Sequence, residues 1–144
     1  MILRADESRM ADAVSLALKL WSGRSEKELA EELSPLAEGE KGCIFIEYAE
    51  EKPIGFARCQ MRNDYVEGSS SSPTAYLEGV YVEPAHRNQG VARRLVESCE
   101  KWAKEKGCAE MGSDCSIENH LSQSFHKSCG FEEKAGIVCF LKKL

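Results

Sequence analysis

The chain has 144 residues, with 19 Lys and Arg against 24 Asp and Glu for a formal net charge of −5, and a chain of this size buries about two-thirds of its unfolded surface, so 1–144 is expected to be one globular domain. Hydrophobic residues make up 42% and charged residues 30%; no apolar run approaches the ~20 residues of a membrane span, and Met1 to Asp12 mixes charges with isolated apolar residues rather than forming a secretory signal. A cytoplasmic protein is expected, with neither a membrane nor, given its net acidity, a nucleic-acid backbone as partner.

Ile2-Leu3-Arg4 reads as a short opening strand, after which Asp6 is placed to cap a helix whose apolar residues Met10, Ala13, Val14, Ala17 and Leu18 recur at helical spacing up to about Trp21-Ser22-Gly23. Ser25 followed by Glu28 forms a capping box, and Leu29, Leu33 and Leu36 mark a second amphipathic helix that stops around Pro35 to Gly39. Cys43 to Ala49 and Ile54 to Arg62 are apolar and β-branched, with turn chemistry at Glu50-Glu51-Lys52-Pro53, so a hairpin is expected. Asn63 to Pro73, with four consecutive serines, reads as a polar surface loop.

Ala75 to Val82 is expected to be a strand ending at Pro84. The segment after Gly90 turns helical, with Ala92, Leu95, Val96, Cys99, Trp102 and Ala103 on one face and Gly107 at the C-cap. Cys108 to Ser113 reads as a strand, Ile117 to Cys129 as a helix closed by Gly130, and Ile137 to Leu141 as a final strand. This order implies an α/β (α+β) architecture, a mixed sheet covered by helices.

Seven cysteines at 43, 59, 99, 108, 115, 129 and 139 include no Cys-x-x-Cys pair and no cluster with histidine. Most of them read as small buried hydrophobes in a reducing compartment, and neither a disulfide framework nor a metal site is expected. Charge is unevenly spread. Ser22 to Glu40 holds six glutamates against Arg24 and Lys27, and Pro84 to Lys106 holds six Arg and Lys against three glutamates. Both runs read as solvated helix faces or, more sharply, as a site for an anionic cofactor beside a cationic substrate.

Arg87-Asn88-Gln89-Gly90-Val91-Ala92 lies between a strand end and a helix start. The N–H groups of such a turn have no helical partner and converge on one point, where the helix dipole favours an anion such as a pyrophosphate. Neither G-x-G-x-x-G nor a Walker loop is present. With Arg87, Gly90 and Ala92 in an R/Q-x-x-G-x-G/A turn after a strand, and Asn119 opening and Gly130-Phe131 closing a later helix, the chain resembles the GNAT superfamily of acyl-CoA-dependent N-acyltransferases. The resemblance implies that the turn from Arg87 to Ala92 (Arg87, Asn88, Gln89, Gly90, Val91, Ala92) binds the pyrophosphate of acetyl-CoA. It also implies that the backbone of Val80, Tyr81 and Val82 holds the pantetheine arm and acetyl carbonyl, that Asn119 touches the pantetheine, and that a homodimer forms. Many members carry a tyrosine four residues before Gly-Phe as the acid for the thiolate; here His126 stands there, able to donate as an imidazolium or simply to pack.

Asp64-Tyr65-Val66-Glu67-Gly68, Ser72-Pro73 and Tyr76-Leu77-Glu78-Gly79-Val80-Tyr81-Val82 resemble the aminoglycoside 6′-N-acetyltransferases more narrowly. This implies that Trp21, Tyr65, Glu78 and Asp114 line a site for an aminoglycoside. The residue types fit, because a polycation calls for carboxylates and one ammonium must lose a proton before its nitrogen can attack a thioester. Glu78 is expected to take that proton, unless it is a strand-end carboxylate paired with a lysine or arginine, and Asp114 to orient the amine. Trp21 and Tyr65 alternatively serve as ordinary packing residues. Relatives often place an acid shortly after Gly-Phe; here the acids come early, at Glu132 and Glu133, and Ala135 stands at the aligned position.

The expected activity is therefore direct transfer of acetyl from acetyl-CoA to the 6′-amine of an aminoglycoside in a ternary complex. The alternatives are a GNAT enzyme for another cation, such as a polyamine or peptide amine, and a non-catalytic coenzyme A-binding module.

Overall fold

A computed structural model describes all residues, 1–144. Five strands, β1 (Ile2–Arg4), β2 (Gly42–Ala49), β3 (Lys52–Arg62), β4 (Thr74–Val82) and β5 (Met111–Ser113), form one sheet in sequence order. The first four are antiparallel neighbours, whereas β4 and β5 run parallel and pair only from Ala75–Met111 to Leu77–Ser113. Parallel neighbours require a crossover, supplied here by α3 (Val91–Glu105). Helices α1 (Met10–Leu20) and α2 (Glu26–Leu33) cover the opposite face, and α4 (His120–Ser128) follows β5.

Strand alternation sends neighbouring side chains to opposite faces. On β2, Cys43 joins the cluster under α3 with Ala57, Cys59, Leu77, Leu95, Val96, Cys99 and Trp102. Ile44 and Ile46 join Phe56, Val14, Leu16, Ala17, Leu29 and Leu33 under α1 and α2. The Trp102 indole N–H donates to the Gly39 carbonyl oxygen at 3.0 Å, anchoring the far end of α3. Four of the seven cysteines, Cys43, Cys59, Cys99 and Cys108, are buried as free thiols.

Most elements begin and end where the local chemistry places them. Ser25 Oγ accepts from the Glu28 amide at 3.1 Å, the N-cap half of the expected box. The hairpin turn uses only Glu50 and Glu51, both left-handed (φ 50° and 69°), so β3 starts at Lys52. Asp6 makes no cap for α1: its carboxylate binds the Ser8 hydroxyl and Arg9, and a 3₁₀ turn, Glu7–Arg9, precedes the helix. Helix α4 starts at His120 because Asn119 is its N-cap, the side chain accepting from the Ser122 amide at 3.1 Å. The Asn63 to Pro73 loop is fastened by the Glu110 carboxylate, which accepts from Ser69 Oγ at 3.0 Å, from the Ser70 amide at 2.9 Å and from the Ser71 hydroxyl. The Ser71 bond above all, then the other two, holds this carboxyl below its ordinary range.

The final strand is the main departure from expectation. Ile137–Leu141 forms no ladder, and Ile137, Val138, Phe140 and Leu141 are 76–93% exposed. A strand exists only where its backbone finds a partner, and within this chain the segment past Phe131 runs by the Asn63 to Pro73 loop, with Lys134 against Gly68 and Gly136 beside Ile117. The outer edge of β5 is left without a strand.

Candidate functional site

Glu78 owes its position to a β-bulge. The β3–β4 register jumps from Arg58–Gly79 to Cys59–Leu77, leaving Glu78 without a partner residue. The extra residue reverses the alternation: Ala75 and Leu77 lie on the α3 face, and past the bulge so do Val80 and Val82. A bulge re-aims side chains and increases local twist. It leaves Glu78 half-buried beside Gly79, onto which Trp21 packs so closely that a Cβ there would meet Trp21 Cζ2 at 2.7 Å. Trp21, the C-cap of α1, is fixed edge-on against Phe56 at 5.8 Å between ring centroids.

The Glu78 carboxylate is paired with an arginine. Arg62 Nη2 donates to its Oε1 at 2.9 Å and its Oε2 at 3.2 Å, and Arg62 Nε donates to Oε1 at 3.2 Å. The same guanidinium lies 3.5 Å from the centroid of the Tyr76 ring, a cation–π contact. The Tyr76 hydroxyl donates to Asp114. Burial, followed by the Asp114 carboxylate, pushes this phenol above its ordinary value, so it stays a donor. Glu78 and Asp114 are thus joined through Arg62 and Tyr76, and each carboxylate already has a hydrogen-bond donor of this chain.

Tyr65 is not brought into this group. It is 75% exposed, and its hydroxyl donates to Glu67 Oε2 at 3.0 Å. Nor do the later acids gather here: Glu132 pairs with Lys134 at 3.0 Å and Glu133 with Lys127 at 3.9 Å. In the acidic segment, Glu32 is shared by Arg24 and Arg58 and Glu28 is held by Arg24, so part of that charge is neutralised internally.

On the edge away from β3, β4 continues past Leu77 to Val82 with no strand beside it, since β5 ends at Ser113. Peptide groups along that edge are open to a ligand. Beyond it, a 3₁₀ turn, Pro84–His86, leads to Asn88 (φ 62°) and Gly90 (φ 77°), the N-cap of α3. A Cβ on Gly90 would meet only Arg94 Nη1, at 3.2 Å, so the space above the turn is open. No acidic residue occupies the first turn of α3, which suits an anion at its N-terminus. Arg87 turns back toward the strand, its Nε donating to the Val82 carbonyl at 2.8 Å.

The turn is braced from below. Arg94 Nη1 donates to the Gln89 carbonyl at 3.0 Å, while Nη2 reaches the buried Glu47 carboxylate of β2 at 2.8 Å. His126, on α4, lies between the rings of Phe125 and Phe131. Its Nε2 is 2.7 Å from Ser113 Oγ at the end of β5, and its Nδ1 is 2.7 Å from the Ser122 carbonyl oxygen. Arg62, Tyr76, Ser113 and the Glu47–Arg94 brace were not among the residues singled out in the sequence; an arginine paired with Glu78 was foreseen only as a general alternative.

Residues 10–131 match the Acetyltransferase (GNAT) family. The aminoglycoside N(6′)-acetyltransferase type 1 of Acinetobacter haemolyticus is 38% identical over 97% of this chain and 96% of its own length, and that of Salmonella typhimurium is 38% identical over 89% and 88%. Among solved structures, AAC(6′)-Iy in complex with the bisubstrate analog CoA-S-monomethyl-acetylneamine superposes with a TM-score of 0.95 at 34% identity, covering 100% of this chain and 98% of that one. AAC(6′)-IG from Acinetobacter haemolyticus superposes with a TM-score of 0.92 at 37% identity, covering 100% and 99%. The protein belongs to the GNAT acetyltransferase family.

Proposed function

We propose that this protein is a cytoplasmic aminoglycoside 6′-N-acetyltransferase that moves acetyl from acetyl-CoA to the drug's amine by direct attack in a ternary complex. The observation that carries the reading is the juxtaposition on β4. The bulged Glu78, joined to Asp114 through Arg62 and Tyr76, stands where β5 ends and the β4 edge leading to the α3 N-terminus opens. The AAC(6′)-Iy neighbour holds coenzyme A and neamine joined in a single analog, which supports donor and acceptor meeting at one place.

Acetyl-CoA supplies the acetyl group and a thiolate leaving group. In this reading the turn from Arg87 to Ala92 binds the pyrophosphate through its N–H groups. The backbone of Val80, Tyr81 and Val82 holds the pantetheine arm, and the Val80 N–H polarises the acetyl carbonyl. Asn119 spends its Oδ1 on the Ser122 amide and offers Nδ2 to the pantetheine. Trp21 supplies an apolar wall for the sugar ring, Asp114 orients the amine, and Tyr65 reaches the drug from the loop rim. Glu78 accepts the proton lost by the amine, directly or through a water, and the incoming cation takes over the carboxylate contact now made by Arg62. His126 is the source of the proton for the thiolate.

A homodimer completes this reading. Ile137–Leu141 is apolar, strand-like in composition and exposed, and β5 has a free edge. Beside that edge lies a cleft lined by Ala103, Cys108, Met111, Cys129 and Phe131. A second copy's C-terminal segment fits both needs, adding a strand and burying its apolar residues, because an unpaired edge next to an apolar hollow is a template for another strand. Sedimentation should give a dimer for the full chain and a monomer after removal of residues 137–144. A full chain that stays monomeric at tens of micromolar, as a rough working concentration, would contradict it.

Three experiments test the enzymatic reading. Glu78→Gln keeps an oxygen for Arg62 but cannot take the proton, so kcat with an aminoglycoside should fall by roughly 10²–10⁴-fold with acetyl-CoA affinity unchanged. Wild-type turnover would remove Glu78 as the base, and preference for polyamines or peptide amines over aminoglycosides in a thiol-release panel would replace the substrate class. Gly90→Val places a branched side chain at a left-handed position, at a strain of about 1–2 kcal/mol, and fills the space over the turn. Calorimetry should show acetyl-CoA binding lost while thermal unfolding reports a folded protein; retained affinity would move the pyrophosphate elsewhere.

A further inference from the structure

We infer that Ser113 is the group that hands the proton to the departing thiolate, with His126 recharging it from behind. The inference rests on the acetyl-transfer reading and changes which atom of the chain touches sulfur. Both ring nitrogens of His126 are already engaged. Nδ1 is 3.3 Å from Ser122 Oγ and, more closely, 2.7 Å from the Ser122 carbonyl oxygen, which can only accept, so the nearer partner places a hydrogen on Nδ1. Nε2 is covered by Ser113 Oγ at 2.7 Å. The ring is further confined by the edge-to-face contacts of Phe125 and Phe131, so His126 presents no uncommitted nitrogen to a ligand.

Ser113 stands where the ligand's reactive end is expected. It is the last residue of β5 and forms, with Leu77, the last rung of the β4–β5 pairing; beyond that rung the β4 edge is open. Its hydroxyl has one hydrogen and two available acceptors, the Leu77 carbonyl oxygen at 3.1 Å and His126 Nε2 at 2.7 Å. When His126 is an imidazolium, Nε2 donates to Ser113 Oγ and the serine hydrogen points to Leu77 or to a ligand. When the ring is neutral, Ser113 donates to Nε2. The same heavy-atom positions satisfy both states, so a proton can pass between them without rearranging the chain.

The step balances. After the amine nitrogen has bonded to the acetyl carbon and Glu78 has taken its proton, the carbon–sulfur bond breaks with its electron pair going to sulfur. Sulfur bonds the Ser113 hydroxyl hydrogen, Ser113 Oγ bonds the Nε2 proton, and His126 is left neutral. Glu78 returns one proton to solvent and His126 regains one. The net result is one N–C bond made, one C–S bond broken and one proton moved from the amine to the thiol.

The test compares Ser113→Ala, Ser113→Thr, His126→Gln and the Ser113→Ala/His126→Gln double variant. Kinetics are measured at saturating acetyl-CoA and aminoglycoside, acetyl-CoA affinity by calorimetry, and the His126 ring nitrogens by NMR in the unliganded protein. Loss of Ser113 should lower kcat by roughly 10²-fold or more, in the range for one positioned acid. His126→Gln should lower it comparably, and the double variant should be no worse than the weaker single one. Ser113→Thr should restore turnover, acetyl-CoA affinity should be unchanged in all variants, and in Ser113→Ala the Nε2 resonance should move while Nδ1 stays. Wild-type kcat in Ser113→Ala with an impaired His126→Gln would overturn the relay and leave His126 acting directly. Wild-type kcat in both would overturn the relay together with the assignment of His126, and multiplicative losses in the double variant would overturn the single path.

Discussion

The site is organised around the separation of β4 from β5. Three rungs of parallel pairing hold the strands together, and β4 then continues to Val82 paired with β3 on one edge and open on the other. Leaving strand peptide groups unpaired is costly, so the core has to hold this edge in place from below. It does so through Val80 and Val82, which pack with Val91 and Leu95 at the start of α3, while Trp102 fixes the other end of that helix to the Gly39 carbonyl. The crossover that makes β4 and β5 parallel also starts α3 just after the end of β4. The open edge and the turn at Gly90 are therefore consequences of one connection.

The bulge at Glu78 sits at the same place for a related reason. Reversal of the alternation there lets β4 keep Ala75 and Leu77 in the core before it and Val80 and Val82 after it, while Gly79 lies against Trp21 and Glu78 meets Arg62. A carboxylate half-buried without a partner is costly, and Arg62 fills that need in the free protein. In the proposed reading a polycationic substrate replaces that guanidinium with its own ammonium groups and also meets Asp114. On the opposite side the buried Glu47 carboxylate holds Arg94, which holds the Gln89 carbonyl, so the turn is positioned by a strut running back into β2.

Legibility from sequence followed how local the determinants were. The Ser25 cap, the apolar spacing of α1 and α3, the Glu50-Glu51 turn and the glycine turn at Gly90 depend on residues a few positions apart, and each was readable. The Arg62–Glu78 pair and the Ser113–His126 pair join residues distant in sequence through register and bulge, which no spacing rule encodes. Tyr65 was singled out by resemblance alone, and its ring is turned to solvent beside Glu67. The Ile137–Leu141 segment has the composition of a strand, but composition does not say which edge a strand will pair with, and inside one chain it finds none.

In the proposed reaction this β4 geometry delivers an acetyl group to one particular amine, with a carboxylate on the substrate side removing its proton. Thiol release from acetyl-CoA should be followed with two aminoglycosides that differ only in carrying an amine or a hydroxyl at the 6′ carbon, with mass spectrometry of the products. The account predicts one equivalent of thiol and one acetyl group for the 6′-amine, on that nitrogen, and no release above background for the 6′-hydroxyl compound. Equal acetylation of both compounds, or of neither, would contradict it.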